Sequence, residues 1–341
     1  GGVEYYYDNV NSSRHDTSAA GVVTSYDRGP IADEAGYGML GVYLQDEIHL
    51  GRLDLTPGVR YTRARVDADE IDPFPGIGAD VPALHDTYQA VTGSLRLLYH
   101  VDDAWNIIGG WGQGFRAPGL DDTTSARFVQ SGQQEIPATD LNPEYSHTFD
   151  LGVRTRYSWV EFSAFGFYTI LRDFIQRYEI GDQNGDGISD FGKDNFSDGW
   201  IYGYEVAGRV KLHENVWVFA DWGYAKGESD QIRANGEVTE QPLPKMNAST
   251  LHVGLRYEHK ASKVWIEGLY TAVARQSHLA LSEGADGQRI PQKHGTPGYT
   301  VYTIRGGVQV CDNVGLTLTV ENLSNKDYRV HGSGVNEPGT N

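Results

Sequence analysis

The sequence predicts an all-β protein, an antiparallel up-and-down transmembrane β-barrel, from three observations. Apolar and polar residues alternate over segments of about 8 to 14 residues, and this pattern recurs about thirteen times along the chain. Short turns and long loops alternate strictly between those segments. Aromatic residues concentrate near the short turns. Together these features indicate strands that face hydrocarbon on one side and water on the other.

Each predicted strand has an apolar face and a polar or charged face, because successive side chains of a strand point to opposite sides. In residues 314–321, the apolar side chains that share one face are Val314, Leu316, Leu318 and Val320. Residues 149–157 and 251–258 show the same split. The strands of a soluble β-sandwich show the same alternation of apolar and polar residues. The pattern alone therefore does not distinguish a membrane barrel from a soluble protein, and the lengths of the connections between strands have to do so.

The connections favour the barrel. The short turns lie near residues 49–53, 100–105, 156–160, 212–216, 258–264 and 310–315. Between them we predict loops of roughly 20 residues or more, around residues 9–35, 67–86, 117–142, 179–198, 226–246 and 276–297. In an up-and-down meander all short turns then lie at one end and all long loops at the other, which is the layout of outer-membrane barrels.

The aromatic residues near the short turns predict a girdle at a membrane interface. They are Tyr99, Trp105, Tyr157, Trp159, Trp217, Tyr257 and Trp265. Cross-strand aromatic pairs in a soluble sheet are the alternative explanation.

Composition excludes several other classes of protein. The chain is 39% hydrophobic with a mean hydropathy of −0.47, and no apolar stretch approaches the roughly 18 residues of a transmembrane helix. An α-helical membrane protein is therefore excluded. The net charge of −18 argues against a nucleic-acid-binding surface. The single cysteine, Cys311, cannot form an internal disulfide.

The end of the sequence bears on how the predicted sheet closes. Backbone groups in hydrocarbon must all be paired, which only a closed sheet achieves. About thirteen strands is an odd count for a bacterial single-chain barrel, and the polar residues 321–341 follow the last strand as a loop that should lead into another. We therefore expect the chain to be a fragment whose barrel is closed by strands outside this sequence.

Three stretches resemble the TonB-dependent outer-membrane receptor family, in the C-terminal part of its barrel. They are GFRAPGLDD at 114–122, LNPEYSHTFDLGVR at 141–154 and VENLSNKDYRVHGSGVNEPG at 320–339. The resemblance covers residues 1–341 as a single partial barrel domain. It implies about thirteen strands of a 22-stranded barrel with a plugged lumen, short periplasmic turns and long extracellular loops. The plug, its TonB-contacting segment, about eight early strands and the final strand are expected outside this sequence.

The resemblance also implies a function and a set of partners. It implies active uptake of a scarce nutrient across the bacterial outer membrane, with a ferric siderophore or similar metal chelate as the leading substrate and corrinoid, haem and oligosaccharide still open. The implied partners are TonB with its inner-membrane energising complex, outer-membrane lipid and the small-molecule metal chelate. We expect a monomer that binds no nucleic acid. A passive outer-membrane porin is the alternative function, and a soluble adhesin or sugar-binding β domain also stays open.

No enzyme activity is expected from the sequence. The chain contains no G-x-S-x-G, H-E-x-x-H or phosphate-cradling motif.

Two short boxes lie at a predicted strand-to-loop boundary. Phe115, Arg116 and Pro118 form the first, and Asn142 with Pro143 forms the second. Proline fixes φ and lacks an amide donor, so Pro118 should end the strand ladder, and a structural role at the strand end is the main expectation. Some haem receptors of the family place an iron-binding histidine between these boxes. Residues 117–141 contain no histidine, so haem uptake is not favoured.

The stretch GDQNGDGISDF, residues 181–191, predicts a calcium loop. The candidate ligands at positions 1, 3, 5, 7 (a carbonyl) and 9 are Asp182, Asn184, Asp186, Ile188 and Asp190. Position 12 of this 182–194 loop is Lys193 instead of a bidentate glutamate, so Asp194 or a distant loop would have to complete the shell. The alternative is an ordinary loop tip, because N-G and D-G dipeptides form turns. Ca²⁺ is the one cofactor that the sequence suggests.

Charged residues on the polar strand faces should lie inside the barrel. They are Arg60, Arg96, Arg154, Arg156, Arg256, Glu258, Arg305 and Glu321. We expect them to hydrate the lumen or to hold a plug by ion pairs, and a substrate path is the alternative.

Overall fold

The computed structural model describes residues 1–26, 28–69, 83–129, 133–182, 185, 187–232, 237–280, 295–333 and 335–339. Within them lie nineteen strands and one short helix. The strands are β1 Gly2–Val10, β2 Arg14–Thr17, β3 Val23–Tyr26, β4 Ala35–Gln45, β5 Ile48–Leu50, β6 Leu53–Ala68, β7 Leu84–His100, β8 Trp105–Arg116, β9 Arg127–Val129, β10 Gln133–Glu135, β11 Glu144–Arg156, β12 Val160–Gly181, β13 Asp190–His213, β14 Val216–Ile232, β15 Val238–Pro242, β16 Thr250–His259, β17 Val264–Val273, β18 Tyr299–Cys311 and β19 Val314–Val320. The helix α1 is Leu120–Thr124.

Thirteen of these strands form one antiparallel meander that we call the wall. In order of pairing they are β1, β4, β6, β7, β8, β11, β12, β13, β14, β16, β17, β18 and β19. This confirms the all-β, up-and-down prediction. Over the described ranges β1 and β19 each pair with a single neighbour, so the sheet is not closed.

The short turns lie where the sequence places them. Residues 101–104 join β7 to β8, residues 157–159 join β11 to β12, and residues 260–263 join β16 to β17. Between β5 and β6 the chain turns at Gly51, whose φ of +66° is a conformation that glycine adopts without a Cβ clash. All six predicted turns are confirmed, and they lie at one end of the wall, the short-turn end.

The predicted loop over 179–198 is wrong. The hairpin of β12 and β13 extends through most of it, with pairs from Gln176↔Asp194 to Gly181↔Asp190, so residues 182–189 alone connect the two strands. The backbone ladder of a hairpin satisfies its own hydrogen bonds in water whatever the side chains are. The polar composition of residues 179–198 therefore did not prevent β12 and β13 from continuing into this segment.

The two faces of the wall differ in chemistry as predicted. On the apolar outer face, side chains such as Leu151, Leu255 and Leu316 are exposed. The opposite inner face carries the charged side chains, among them Arg156 and Arg256.

The predicted aromatic girdle is wrong for two of its members, Trp217 and Trp265. The guanidinium of Arg209 lies 5.0 Å from the ring centroid of Trp217, and that of Arg256 lies 4.3 Å from Trp265. Both tryptophans therefore belong to the inner face. The distance of a residue from a turn determines its position along the membrane normal. Its odd or even position in the strand determines whether its side chain lies on the outer or the inner face of the wall.

A small apolar core lies at the opposite, long-loop end. Its buried residues are Ala32, Ala35, Val66, Ala68, Leu84 and Leu120. Leu120 brings α1 against the upper ends of β4, β6 and β7 and so holds the segment after β8 in place. Among the described helices, none has the length and apolar character needed to span a membrane.

Candidate functional site

The two sequence boxes meet at the upper end of β8 and β11. Arg116 is directly opposite Glu144 in the ladder, and Phe115 is opposite Tyr145, with ring centroids 5.7 Å apart. Pro118 follows the last residues of β8 and is fully buried. The two boxes are adjacent because β8 and β11 pair across the loop between them.

Arg116 links three elements at this point. Its Nε donates to Glu144 Oε2, and its Nη1 donates to Asp122 Oδ2 of α1 over 2.5 Å. The other oxygen of Glu144, Oε1, accepts a hydrogen bond of 2.8 Å from the Ile175 amide of β12. Arg116 and the buried Glu144 thus tie the strand end to α1 and to the neighbouring hairpin.

The second box is held by Asn195 of β13. The Asn195 Oδ1 atom accepts from the Asn142 amide at 2.7 Å, and its Nδ2 donates to the Asn142 carbonyl at 2.8 Å. The same Nδ2 also donates to the Asp173 carbonyl at 2.6 Å. Pro143 is half-buried beside these contacts. The polar side-chain contacts described for the two boxes are with Asp122 of α1, Glu144 of β11 and Asn195 of β13, so this region joins the strand ends to the segment that follows β8.

A polar cluster that the sequence did not indicate lies close by, and it is built around the buried Glu135. The carboxylate of Glu135, 2% exposed, forms ion pairs with Lys193 Nζ at 2.6 Å and with Arg127 Nε at 3.2 Å. Lys193 also donates to the Asp121 carbonyl at 2.5 Å. Beside it, β10 pairs in parallel with the start of β13 through Gln134↔Asp190. We call Asp121, Arg127, Glu135 and Lys193 the loop clamp, because they fix the segment between β8 and β11 onto the β12–β13 hairpin.

The electrostatics of the loop clamp favour the ionised form of Glu135. Burial by itself would raise the pKa of this carboxyl group, but the hydrogen bond and charge of Lys193, helped by Arg127 and Arg177, lower its pKa below the ordinary value. The carboxylate is therefore held charged by its partners against the cost of burial.

The candidate calcium loop is described in part. Asp182 Oδ1 accepts from the Gly185 amide at 2.7 Å and its Oδ2 accepts from the Gly187 amide at 2.8 Å. Asp190 is buried as the first residue of β13, and Ile188 lies between them. Asn184 and Asp186 fall outside the described residues. In the described part of the chain no group of three or more His, Cys, Asp or Glu side chains is placed to hold a metal ion.

The inner face carries rows of ion pairs that run across neighbouring strands. One row joins Arg156, Glu161 and Arg209, with N to O distances of 2.9 and 2.8 Å. A second row places the buried Glu267 between Arg256 at 3.3 Å and Arg305, whose Nε donates to it at 2.6 Å. The alternating pattern predicts Arg156, Arg256 and Arg305 on this face. Their partners Glu161 and Glu267, and Arg209, follow from the strand register, which a single strand pattern does not specify.

A cavity of about 220 Å³ opens at the long-loop end and is lined by groups that can donate hydrogen bonds, among them His252, Thr271, Tyr299, Arg329 and His331. His252 Nδ1 lies 2.7 Å from Asp221 Oδ2, and His331 Nδ1 lies 2.9 Å from Thr296 Oγ1. Such a lining suits a ligand with anionic oxygens.

Comparison with known families and proteins gives a consistent result. The model described as "TonB dependent receptor-like, beta-barrel" matches residues 1–323. Hemoglobin-haptoglobin utilization protein B of Neisseria meningitidis is 24% identical over 320 residues, which cover 84% of this chain and 38% of the relative. Hemoglobin-binding protein A of Haemophilus influenzae is 24% identical over 239 residues, which cover 64% and 23%.

Solved structures share the fold. The copper transporter OprC has a TM-score of 0.77 at 23% identity, with 96% of this chain and 50% of that chain covered. The FrpB iron transporter from Neisseria meningitidis (F3-3 variant) has a TM-score of 0.65 at 17% identity, with coverage of 90% and 44%. The chain spans about half the length of these structures and less of the two sequence relatives. The two solved structures are described as metal transporters, and the two sequence relatives as a hemoglobin-binding and a hemoglobin-haptoglobin utilization protein.

Proposed function

Because this chain belongs to the TonB dependent receptor-like β-barrel family, whose members are bacterial outer-membrane proteins, we propose that it forms wall and outer binding surface of a transporter for a scarce metal chelate. The observation that carries the proposal is the thirteen-strand wall with its apolar outer face and charged inner face. All thirteen strands lie within the matched residues 1–323.

A ferric siderophore or a similar chelate is the substrate class that we propose. Solved proteins of this fold include a copper transporter, an iron transporter and a ferric-catecholate import receptor. The inner cavity at the long-loop end supports this class, because His252 and Arg329 present donors to a ligand whose metal is held by negatively charged oxygens.

We propose that TonB and its inner-membrane complex power the uptake and that the protein acts as a monomer. A passive porin would share the membrane, the strand pattern and the charged lumen. Energy dependence separates the two functions, since diffusion through a porin needs no TonB.

Uptake of a radiolabelled ferric siderophore tests the proposal. Cells that lack their own siderophore receptors would express the full-length gene, with and without TonB, and be offered a panel of hydroxamate and catecholate chelates. We expect saturable uptake of one class that is lost without TonB. Uptake that is unchanged without TonB would overturn the proposal in favour of a porin.

The inner cavity can be tested in the same cells. The double variant His252→Ala with Arg329→Ala should raise the half-saturating chelate concentration, because two donors are removed. His49→Ala, at the short-turn end, is the matched control and should leave it unchanged. Equal behaviour of the two variants would remove the cavity from the substrate path.

We also propose that the 182–194 loop binds Ca²⁺. Gly181↔Asp190 pairing supports this, because it brings Asp182 and Asp190 to the two sides of one hairpin tip. Lys193 is engaged by Glu135, so the remaining ligands would come from Asn184, Asp186 and the Ile188 carbonyl. Ca²⁺ should protect this tip from proteolysis in the wild type but not in Asp186→Asn, whereas Asp312→Asn, at a short turn, should behave as wild type. Equal protection by Mg²⁺ would contradict the proposal.

A further inference from the structure

The apolar outer face carries a groove at the long-loop end. A hollow of about 550 Å³ is lined by Trp222, Leu251, Ala272 and other residues, and a second of about 200 Å³ continues from it, sharing Ser249 and Ala274. Trp222 and Leu251 are directly opposite each other in β14 and β16, and both belong to the outer face. The larger hollow therefore opens towards lipid between these strands.

The height of the groove in the membrane follows from strand length. Strands β16 and β17 have 10 residues each, and about 9 to 11 residues of a tilted strand cross the hydrocarbon. Leu251 and Ala272 lie just inside the upper ends of these strands, whereas Ser249 and Ala274 lie just beyond them. The groove thus runs from the edge of the hydrocarbon into the headgroup layer.

Aromatic side chains border the groove on the β14 side. Trp200 stacks on Tyr202 at 5.5 Å, Tyr202 lies 6.1 Å from Tyr224, and Tyr224 stacks on Trp222 at 6.4 Å. Trp222 Nε1 donates to Ser249 Oγ over 2.8 Å. Rings with one polar atom are typical of the boundary between hydrocarbon and headgroups.

Two positively charged side chains line the groove. Lys326 lines the larger hollow and Arg275 the smaller, and both are exposed. Neither has an ion-pair partner among the described residues, in contrast to Lys226, which pairs with Glu228 at 2.7 Å. Two unpaired positive charges at this height are notable in a chain with a net charge of −18.

We propose that this groove binds an outer-leaflet lipid whose phosphate-containing headgroup has a net negative charge. An acyl chain would lie against Leu251 and Ala272, where a void facing hydrocarbon would otherwise lose dispersion contacts. The phosphate would lie at Lys326 and Arg275, where charge-assisted hydrogen bonds are strongest next to a low-dielectric layer. This inference does not depend on which chelate the protein transports.

Lipid retention measured by native mass spectrometry tests the proposal. The full-length protein in detergent would be offered phosphatidylglycerol, phosphatidylcholine or inorganic phosphate. We expect tight retention of one phosphatidylglycerol over phosphatidylcholine. Each of Lys326→Gln and Arg275→Gln should weaken retention about fivefold, and the double variant about thirtyfold, from the contribution of one basic residue near an anionic surface.

Two further variants make the test decisive. Lys260→Gln with Lys263→Gln, at the short turn between β16 and β17, removes the same charge elsewhere and should leave retention unchanged. Ala272→Trp fills the apolar half of the groove and should expel the lipid with both cations intact. Equal retention of the two lipids, equal effects of the two charge pairs, or displacement of the lipid by inorganic phosphate would each overturn the proposal.

Discussion

The β16–β17 hairpin and the β12–β13 hairpin belong to the same wall but are built by different rules. The first has two strands of 10 residues, as long as the hydrocarbon is thick. The second has strands of 22 and 24 residues, and Lys193 in the upper part of β13 pairs with the buried Glu135 of the loop clamp. In the first hairpin the residue pattern follows the two environments, with apolar side chains on the outer face towards hydrocarbon and charged side chains on the inner face towards water. In the second, long-range polar contacts hold a structure above the membrane.

The largest expected effect comes from breaking the loop clamp. Glu135→Gln removes the carboxylate that neutralises Lys193, which is 10% exposed. Removing one partner of a buried ion pair typically costs about 3–5 kcal/mol. We expect the segment between β8 and β11 to open more often, as faster amide exchange in β9 and β10, while exchange in β16 and β17 stays unchanged. Arg156→Gln, which breaks a pair on the inner face near a short turn, is the control and should not affect β9 or β10.

The stability of the loop clamp should also depend on pH. The pKa of Glu135 is lowered in the folded protein, so its contribution to stability is complete above the unfolded pKa and is lost as pH falls through the folded value. Protection of β9 and β10 from amide exchange should therefore fall below about pH 4. In Glu135→Gln the protection of these strands should no longer depend on pH in this range. A wild-type profile that stays flat down to pH 3 would rule out Glu135 as the titrating group.

The difference between the hairpins also explains what the sequence could predict. The six short turns and the thirteen wall strands were predictable because a period of two residues and a change of solvent leave a local signal. The upper part of β12–β13 was not, since the N-G and D-G dipeptides of residues 184–187 predict a turn in a long polar loop, whereas the ladder continues as far as Gly181↔Asp190. Likewise, Arg116 and Glu144 are 28 positions apart, so their contact depends on the register between β8 and β11, which no local pattern specifies.

The next largest effect is expected in the wall. Leu255 lies in the middle of β16 on the outer face and is 53% exposed. Leu255→Lys places a charge in the hydrocarbon, which costs about 2–4 kcal/mol at the bilayer midplane. The unfolding midpoint in urea, measured in lipid vesicles, should fall accordingly. Thr303→Lys, on the inner face of β18 opposite Leu269, should have little effect. Similar losses for the two variants would contradict the assignment of outer and inner faces.

The smallest effect is expected from two tryptophans that both lie at the short-turn end but on opposite faces of the wall. Trp105 is exposed on the outer face, whereas Trp265 lies on the inner face with Arg256 stacked on its ring at 4.3 Å. Brominated lipid quenches tryptophans that touch acyl chains, so Trp105→Phe should lower the lipid-quenched fraction of fluorescence. Trp265→Phe should leave that fraction unchanged and instead cost about 0.5–1 kcal/mol through the weakened cation–π contact. Both residues lie near short turns, but they differ in the strand face on which they stand. If the two variants lost the same lipid-quenched fraction, Trp265 would belong to the girdle on the outer face. The register of β17 would then have to shift by one residue, which would also remove Glu267 from its place between two arginines.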